Sequence, residues 1–263
     1  MNLFYLITLS LLGSTNLEMR NIALDVSELA YCCHDVGCKS QRNTGVIITN
    51  IIQKDSEKVI AGYVDDTIVL GYRGSVNVRN WLYDFQVSLI SPYENLEGVK
   101  VERGFYTLFT KLKPDVDSII ANLSQKYKSN KLLISGHSLG ASCATLTAFD
   151  LMKSNKGWNI SLITFGSPRV GNQDFVREFN KGVLATKERV THDGDVFIHT
   201  PLISMGFAHI PQEVYYNKDN TEFKICNDSI AEDVNCSLSK KFYQWSVLDH
   251  LRYMNITFGS SSC

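Results

Sequence analysis

The feature that most constrains the fold is a Gly-x-Ser-x-Gly pentapeptide at residues 136–140, which stands between an apolar run and an Ala-rich stretch. Residues 131–135 are typical of a short buried strand, and residues 139–152 are typical of a helix. On such a turn the serine hydroxyl is exposed above the sheet edge, and both glycines are needed where strand and helix approach closely. The pentapeptide alone is a weak signal, but this setting favours Ser138 as a nucleophile over an ordinary Gly/Ser turn.

Strand-like and helix-like segments alternate along the chain. Helices are predicted at residues 21–32, 105–112, 116–127, 139–152 and 173–179. Strands are predicted at residues 59–64, 67–72, 131–135, 159–165, 189–191, 213–216 and 222–225. Strands that are repeatedly separated by helices favour an α/β fold, in which a mostly parallel central sheet carries helices on both faces. The sequence shows no internal repeat and no linker rich in Pro, Gly or Ser, so we predict one domain.

A serine hydroxyl needs a base to become a nucleophile, and the base needs an acid to orient it. On a sheet of this kind the three follow one another in the order Ser, Asp, His. Of the six histidines, only His209 and His250 lie well beyond the best acid-bearing loop. We favour His250, because it follows a cysteine-bracketed loop and precedes a segment that is predicted to pack. His209 is then a structural hydrogen-bonding residue, and its use as the base is the alternative.

The acid is predicted on the loop that follows the strand at residues 189–191. Two aspartates compete there, Asp193 and Asp195. A carboxylate at the end of a strand can face a histidine from a later loop. We favour Asp195 and interpret Asp193 as a solvated turn residue, with the reverse assignment left open.

The N-terminal residues 1–15 have the features of a cleaved signal peptide. An apolar run of about ten residues at 3–12 precedes small residues at 13–15, although no Lys or Arg stands before it. The run is too short to span a bilayer, and a buried N-terminal segment is the alternative. A leader predicts a single domain at residues 16–263 in a secreted protein, extracellular or in the lumen of the secretory-endolysosomal pathway. N-glycosylation sequons begin at Asn122, Asn159, Asn227, Asn235 and Asn255.

The chain has seven cysteines, and an odd number leaves at least one without a partner in a monomer. Cys143 lies in the Ala-rich helix and is predicted to be a buried free thiol. Cys226 and Cys236 bracket a polar, acidic loop and are predicted to pair. The other four, which can pair if the two ends of the chain lie together, are Cys32, Cys33, Cys38 and Cys263. A metal site at residues 32–38 is disfavoured, because no second ligand pair follows at finger-like spacing.

The charge balance excludes two classes of partner. The chain carries 26 basic and 27 acidic side chains, a formal net charge of −1, without long runs of like charge. Such a chain has no electrostatic footprint for a nucleic-acid backbone and no polybasic signal for anionic lipid. With 44% hydrophobic residues it can bury a core.

Several segments stand in an order that is more specific than the pentapeptide alone. They are GHSLG at 136–140, YRGS at 72–75, NWLYD at 80–84, TFGSPRVGN at 164–172 and DHL at 249–251. Together they resemble the class 3 lipases, the fungal-type triacylglycerol lipases and feruloyl esterases, over nearly all of residues 16–263. The resemblance implies an α/β-hydrolase fold with Ser138 as nucleophile, Asp195 as acid and His250 as base.

The resemblance also implies an oxyanion hole and a disulfide pattern. The backbone amides of Ser75 and Leu139 would bind the oxyanion, the Ser75 hydroxyl would add a third donor, and Asp84 would orient that hydroxyl. The family pairs a cysteine of its first helix with one near the C-terminus. That pattern implies the bridges Cys32–Cys263 and Cys33–Cys38.

One departure from the family pattern stands before Gly104. The family often has a histidine there, where this chain has Glu102 or Arg103. The departure puts the local packing and the edge of the pocket in question.

A short amphipathic helix is predicted after residues 73–75, the turn that matches the family's oxyanion loop. Val78, Trp81, Leu82 and Phe85 fall at positions i, i+3, i+4 and i+7, which places them on one helical face. In lipases of this kind the matching helix is a lid that covers the site in water and turns its apolar face to lipid. We predict a lid, with a plain core helix as the alternative.

These features predict a two-step acyl transfer on lipid esters, most favourably triacylglycerols, at an oil-water or membrane interface. No cofactor, metal ion, nucleic acid or stable protein partner is expected, and the resemblance favours a monomer. Phospholipids or feruloyl esters are alternative substrates on the same fold, and an amidase is less favoured. A catalytically inactive lipid-binding module is the alternative outside the enzymes.

Overall fold

The computed structural model describes residues 3–39, 42–77, 87–154, 156–228 and 232–259, with side chains from residue 16 onward. The α-helices in these ranges are α1 Leu3–Cys32, α2 Arg103–Tyr127, α3 Leu139–Lys153, α4 Gln173–Asn180 and α5 Val247–His250. The first strands are β1 Ile47–Lys54, β2 Glu57–Val64, β3 Thr67–Tyr72, β4 Leu89–Ile90, β5 Val101–Glu102, β6 Lys131–His137 and β7 Asn159–Phe165. The others are β8 Gly171–Asn172, β9 Thr186–His192, β10 Phe207–Ala208, β11 Glu213–Tyr216, β12 Phe223–Ile225, β13 Arg252–Tyr253 and β14 Ile256–Thr257.

The main sheet has eight strands in the order β1-β2-β3-β6-β7-β9-β11-β12. Strands β3, β6, β7, β9 and β11 run parallel, and antiparallel strands flank them at both edges. The carboxyl ends of parallel strands lie at one edge of a sheet, which we call the carboxyl edge. It is formed by the ends of the five parallel strands at Tyr72, His137, Phe165, His192 and Tyr216.

Helices cover both faces of this sheet. On one face α1 packs through apolar residues such as Val26 and Ala30 against Val69 and Leu133 of the sheet. On the other face α2, α3 and α4 pack against alternate residues of the same strands in a second buried cluster. Parallel strands that are buried on both faces are typical of α/β proteins. The predicted fold class, α/β with a mostly parallel central sheet, is confirmed.

The sequence prediction was wrong at Pro114, where two helices had been expected at residues 105–112 and 116–127. The structure has one helix, α2, that continues through Pro114. Its apolar positions keep a helical spacing on both sides of the proline, and the face that they form is buried. Packing of that face therefore outweighs the backbone hydrogen bond that proline cannot make. The buried residues are Phe105, Phe109, Leu112, Val116, Ile120 and Leu123.

Two of the longer elements also differ from the prediction, and the short strands β4, β5, β8, β10, β13 and β14 and helix α5 were not predicted. The predicted helix at residues 21–32 begins at Leu3 in the structure. Strand β1 was not predicted, because a register shift between Ile48 and Asn50 interrupts the regular alternation of a strand. Neither difference bears on the carboxyl edge.

Two disulfides join described residues, Cys33–Cys38 and Cys226–Cys236. The predicted bridge Cys32–Cys263 involves Cys263, which lies outside the described residues. Cys143 is a buried free thiol in α3. Within the described ranges no helix has both the length and the apolar character needed to cross a bilayer.

Candidate active site

Ser138 stands at the junction of β6 and α3, in a backbone conformation that few residues adopt. Its φ of 58° and ψ of −128° place it in a strained region for a side chain with a Cβ atom. The backbone N–H of Ser138 donates to the carbonyl of Phe165 at 3.0 Å, which ties the turn to the neighbouring strand. Strain of this kind persists only where the surroundings over-determine it, and it concentrates at functional sites.

The two glycines of the pentapeptide are required by close backbone approaches. A Cβ atom on Gly136 would lie 2.6 Å from the carbonyl oxygen of Gly140. A Cβ atom on Gly140 would lie 2.2 Å from the carbonyl oxygen of Tyr72, at the end of the neighbouring strand β3. Strand, turn and helix therefore meet at a distance that only glycine permits, as the pentapeptide predicts.

His250 and Asp195 form a fully buried pair at the carboxyl edge. The Nδ1 atom of His250 lies 2.8 Å from Oδ2 and 3.0 Å from Oδ1 of Asp195. Backbone hydrogen bonds hold the acid loop to the start of α5, from the N–H of Ser246 to Gly194 at 2.7 Å and from that of Val196 to Ser246 at 3.3 Å. The structure thus brings together the predicted acid and the predicted base from positions that are 55 residues apart.

Asp195 accepts from three donors. Besides His250, the hydroxyl of Tyr253 donates to Oδ2 at 2.5 Å and the N–H of Phe197 donates to Oδ1 at 2.8 Å. Burial alone raises the pKa of a carboxyl group, but the charge of His250 and these hydrogen bonds outweigh it and lower the pKa of Asp195. Asp195 is therefore a carboxylate at neutral pH.

The ring of His250 is fixed from three sides. The ring of Phe197 stacks on it at a centroid distance of 3.9 Å. Gly166, with a φ of +56°, lies against it so closely that a Cβ atom would be 3.0 Å from both Nδ1 and Cε1. The ring of His137, next to Ser138 in the chain, lies 4.5 Å away. The Nε2 atom of His250 is buried and makes no hydrogen bond with any residue of the described ranges.

The two competing residues have other partners. Asp193 accepts from the hydroxyl of Tyr215 at 3.1 Å and forms an ion pair with Lys240. The Nε2 atom of His209 is bonded to the carbonyl of Ile198 at 2.7 Å. Burial, with the charge of Arg189 nearby, holds the pKa of His209 well below its ordinary value. Both residues thus have structural contacts away from the His250 ring.

The predicted oxyanion loop at residues 73–75 approaches the turn at Ser138 closely. A Cβ atom on Gly74 would lie 2.6 Å from the carbonyl of His137 and 3.0 Å from the Cβ of Ser138. Ser75 follows Gly74 directly, and Leu139 is the first residue of α3. The structure therefore places the loop that carries the Ser75 amide against the turn that carries Ser138. Asp84 lies outside the described residues.

A cleft of about 610 Å³ opens beside Leu139. Phe105 and Leu108 of α2 supply apolar side chains to its wall. Glu102, one of the two residues that stand where the family often has histidine, is buried and caps α2 by accepting the N–H of Phe105 at 2.8 Å. Arg103, the other one, lines the cleft.

The predicted lid residues Val78, Trp81, Leu82 and Phe85 lie outside the described residues. One group in the described part of the chain has ligand atoms close enough for a metal ion, namely Glu213, Cys226 and Cys236. The two sulfur atoms of that group are joined in a disulfide, so they offer no thiolate ligand.

Sequence reasoning missed the side chains that support the acid and the base. Gly166 lies in a segment that carries the family resemblance and Tyr253 lies two residues after another, yet nothing in their spacing assigned either one to Asp195 or His250. Tyr31 and His137 gave no signal either, since their contact joins positions that are 106 residues apart.

Comparison with known proteins extends these observations. The family described as "Lipase (class 3)" matches residues 69–205. A lipase from Rhizomucor miehei is 30% identical over 234 residues, which cover 87% of this chain and 62% of that protein. The chain thus spans about six tenths of that relative's length. A secreted mono- and diacylglycerol lipase from Fusarium solani is 30% identical over 230 residues, covering 79% of this chain and 68% of that protein.

The fold has a solved counterpart of nearly the same extent. The structure of a triacylglycerol lipase whose catalytic centre is a serine protease triad superposes with a TM-score of 0.84. It is 28% identical in sequence, and the match covers 95% of this chain and 98% of that one. From the matched family and these relatives, the chain belongs to the class 3 lipase family.

Proposed function

We propose that this protein is a secreted serine hydrolase that cleaves carboxylic esters of lipids, most favourably triacylglycerols, through an acyl-enzyme on Ser138. The observation that carries the proposal is the strained turn at Ser138 beside the buried pair of His250 and Asp195. A strained serine, a histidine and a buried carboxylate are the elements of acyl-transfer catalysis. Membership of the class 3 lipase family supports the same reaction.

The proton on His250 can be assigned from its partners. A carboxylate can only accept, so Nδ1 of His250 carries a proton that it donates to Asp195. Nε2 then has the lone pair, and it makes no other hydrogen bond in the described ranges. This is the tautomer that a general base requires.

In the first step Nε2 of His250 takes the proton of the Ser138 hydroxyl while Oγ bonds to the ester carbonyl carbon. The amides of Ser75 and Leu139 hold the oxyanion, and the histidine returns the proton to the leaving alcohol as the C–O bond breaks. In the second step His250 deprotonates a water molecule, which attacks the acyl-enzyme. The acid is released, and Ser138 recovers its proton.

The surface around the site supports a lipid substrate. Several large apolar side chains are exposed on segments that follow the carboxyl edge, or on α5 and the segment before it, and we call them the apolar rim. A set of exposed apolar side chains of this kind is typical of a surface that meets another apolar phase. The apolar rim consists of Val76, Leu202, Ile203, Met205, Phe242, Tyr243 and Leu248.

The lid at residues 78–85 belongs to the same proposal. Ser138 and His250 are almost fully buried, with exposures of 1% and 0%. A buried nucleophile needs a change of conformation before an ester can reach it, and a lid supplies one. An oil-water or membrane interface would favour the open state by burying the apolar face of the lid.

The signal peptide at residues 1–15, the domain at 16–263 and the monomeric state are proposals as well. The disulfides Cys33–Cys38 and Cys226–Cys236 support an oxidising compartment. The Fusarium solani relative is a secreted protein, which supports export. N-terminal sequencing and light scattering of the protein recovered from culture medium test the cleavage site and the monomer.

An activity-based label tests the chemistry. A fluorescent organophosphonate is expected to modify the wild-type protein and to leave Ser138→Ala unmodified, with Ser142→Ala, four residues further along in α3, labelled normally. Equal labelling of the wild type and Ser138→Ala would refute the nucleophile. A panel of triacylglycerol, phospholipid and feruloyl esters tests the substrate, and the highest kcat/KM is expected for triacylglycerol.

A further inference from the structure

His137, the second residue of the pentapeptide, is a fully buried histidine that the proposed mechanism does not use. Its Nδ1 atom lies 2.8 Å from the hydroxyl of Tyr31 on α1, and its Nε2 atom lies 2.8 Å from the carbonyl oxygen of His250. The ring of Phe258 stacks on the His137 ring at a centroid distance of 4.1 Å. Both ring nitrogens therefore have one partner each, and one of those partners is the backbone of the proposed base.

These partners determine the tautomer of His137. A carbonyl oxygen can only accept, so Nε2 carries a proton and donates it to His250. Burial, and then the charge of the nearby His250, hold the pKa of His137 well below its ordinary value, so the ring is neutral. Nδ1 of a neutral ring that is protonated on Nε2 accepts, and the hydroxyl of Tyr31 is its donor.

The hydroxyl of Tyr31 also lies against the predicted oxyanion loop at residues 73–75. Burial raises the pKa of Tyr31, so the hydroxyl keeps its own proton. The loop is so close that a Cβ atom on Gly74 would lie 2.3 Å from the Tyr31 oxygen. One oxygen atom thus joins the residue before Ser75 to the residue before Ser138.

We propose that Tyr31 is a positioning residue. Through its hydroxyl it fixes the predicted oxyanion loop, the turn at Ser138 and the proposed base His250 relative to one another. The Tyr31 oxygen packs against Gly74, the Tyr31 hydroxyl donates to His137, and His137 donates to the carbonyl of His250. The inference rests on the proposed acyl-transfer function. Such positioning matters for catalysis, because oxyanion donors stabilise the transition state only when they are held where the negative charge develops.

The network also explains why a neutral side chain stands beside the base. The rings of His137 and His250 are 4.5 Å apart. A positive charge at His137 would oppose the protonation that His250 undergoes in each step. The hydroxyl of Tyr31 donates to Nδ1 of His137, so that nitrogen is an acceptor and carries no proton. This contact therefore keeps the His137 ring neutral.

The test is Tyr31→Phe, with Tyr216→Phe as the matched control. Tyr216 also connects its strand to α1, since its buried hydroxyl accepts from Arg20 at 3.1 Å. In the described part of the chain that hydroxyl makes no hydrogen bond with His137 or His250. On a dissolved short-chain ester we expect Tyr31→Phe to lower kcat about tenfold or more with KM within about twofold, and Tyr216→Phe to retain the wild-type kcat. Similar kcat values in the two variants, or a change confined to KM, would overturn the proposal.

A measurement on the wild type keeps the proposal testable if Tyr31→Phe does not fold. Proton–nitrogen correlation spectra of ¹⁵N-histidine-labelled protein, assigned with His137→Gln, are expected to show His137 neutral and protonated on Nε2. A ring protonated on Nδ1 would overturn the network, whatever the activity. If the wild type shows the expected tautomer but is not labelled by the organophosphonate, the proposed function fails while the hydrogen-bond network stands.

Discussion

The Nδ1 atom of His250 lies 2.8 Å from Oδ2 of Asp195, inside a site where neither side chain is exposed. The hydroxyl of Tyr253 and the amide of Phe197 complete the set of donors around the carboxylate. A buried carboxylate is costly unless its oxygens are hydrogen-bonded, and here three donors satisfy them. The orientation of the His250 ring is therefore determined by a rigid acid rather than by a mobile surface residue.

Asp195→Asn is expected to lower kcat by roughly 10³- to 10⁴-fold, with little change in thermal stability. An amide can turn its NH₂ group toward Nδ1, which then accepts, so that the proton moves to Nε2 and the base is lost. Asp193→Asn is the control, because Asp193 pairs with Lys240 and Tyr215 instead. Initial rates on a dissolved ester measure both variants, and comparable losses in the two would contradict the assignment.

Gly166→Ala is expected to reduce kcat about tenfold or more by moving the His250 ring. The new methyl group would lie 3.0 Å from Oδ2 of Asp195 and from two atoms of the ring, closer than carbon atoms ordinarily approach. Its φ of +56° adds a backbone cost of about 1 kcal/mol. Enzyme kinetics and a denaturant titration give the two effects separately.

The control for that substitution is Gly157→Ala. Gly157 has a similar φ of +71°, and a Cβ atom there meets nothing within 4 Å. It should lose a comparable amount of stability from the backbone alone and keep the wild-type kcat. If Gly166→Ala kept its kcat as Gly157→Ala does, the close contact with His250 would have no catalytic weight.

Sequence reasoning located Ser138, Asp195 and His250 because each has a local signal. Ser138 lies in a strand-turn-helix pentapeptide, Asp195 follows a strand, and His250 is one of two histidines that lie well beyond the loop of Asp195. The architecture was predictable for the same reason, since buried parallel strands are near-continuous apolar runs separated by helices. Chain order then restricted the choice to a few residues.

The supporting residues had no such signal, because their contacts arise from tertiary packing. Tyr31 reaches His137 only after α1 has packed on the face of the sheet opposite α2, α3 and α4. The continuation of α2 through Pro114 is likewise a consequence of its buried face, since the local rule predicts a break. Residue spacing indicates the periodicity of a single helix or strand. The Tyr31–His137 contact and the continuation of α2 depend instead on how two such elements pack together.

A buried ion pair beside the site should make stability depend on pH. The Nε and Nη2 atoms of Arg169 contact Glu232 at 2.7 Å and 2.6 Å, and the side chains are 2% and 10% exposed. Burial acts to raise the pKa of Glu232, but His209 and Arg169 outweigh it and lower the pKa to about 2. Because the folded-state pKa is below the unfolded value, this contribution is present above about pH 4.5 and is lost as the pH falls toward 2.

Glu232→Gln is therefore expected to lower the free energy of unfolding by about 3 kcal/mol at neutral pH. The difference from the wild type should shrink as the pH falls from about 4.5 to about 2. Urea titrations at a series of pH values measure it. Glu178→Gln, which breaks a surface pair with Lys153, should have a much smaller effect. A difference between Glu232→Gln and the wild type that stayed constant down to the lowest pH would contradict the lowered pKa.

The apolar rim should affect an emulsified substrate more than a dissolved one. Phe242 is 77% exposed and lies eight residues before His250, on a segment whose Trp245 stacks on His199, four residues after Asp195. Phe242→Ser removes apolar surface area that contact with oil would bury. Burial of such area stabilises the contact by about 25 cal/mol per Å². Turnover of a triacylglycerol emulsion is expected to fall at least threefold more than turnover of a dissolved short-chain ester.

Val183→Ser is the control, because Val183 is 88% exposed but precedes β9 at the opposite edge of the sheet. Equal effects of Phe242→Ser and Val183→Ser on the emulsion would show that the rim does not contact lipid.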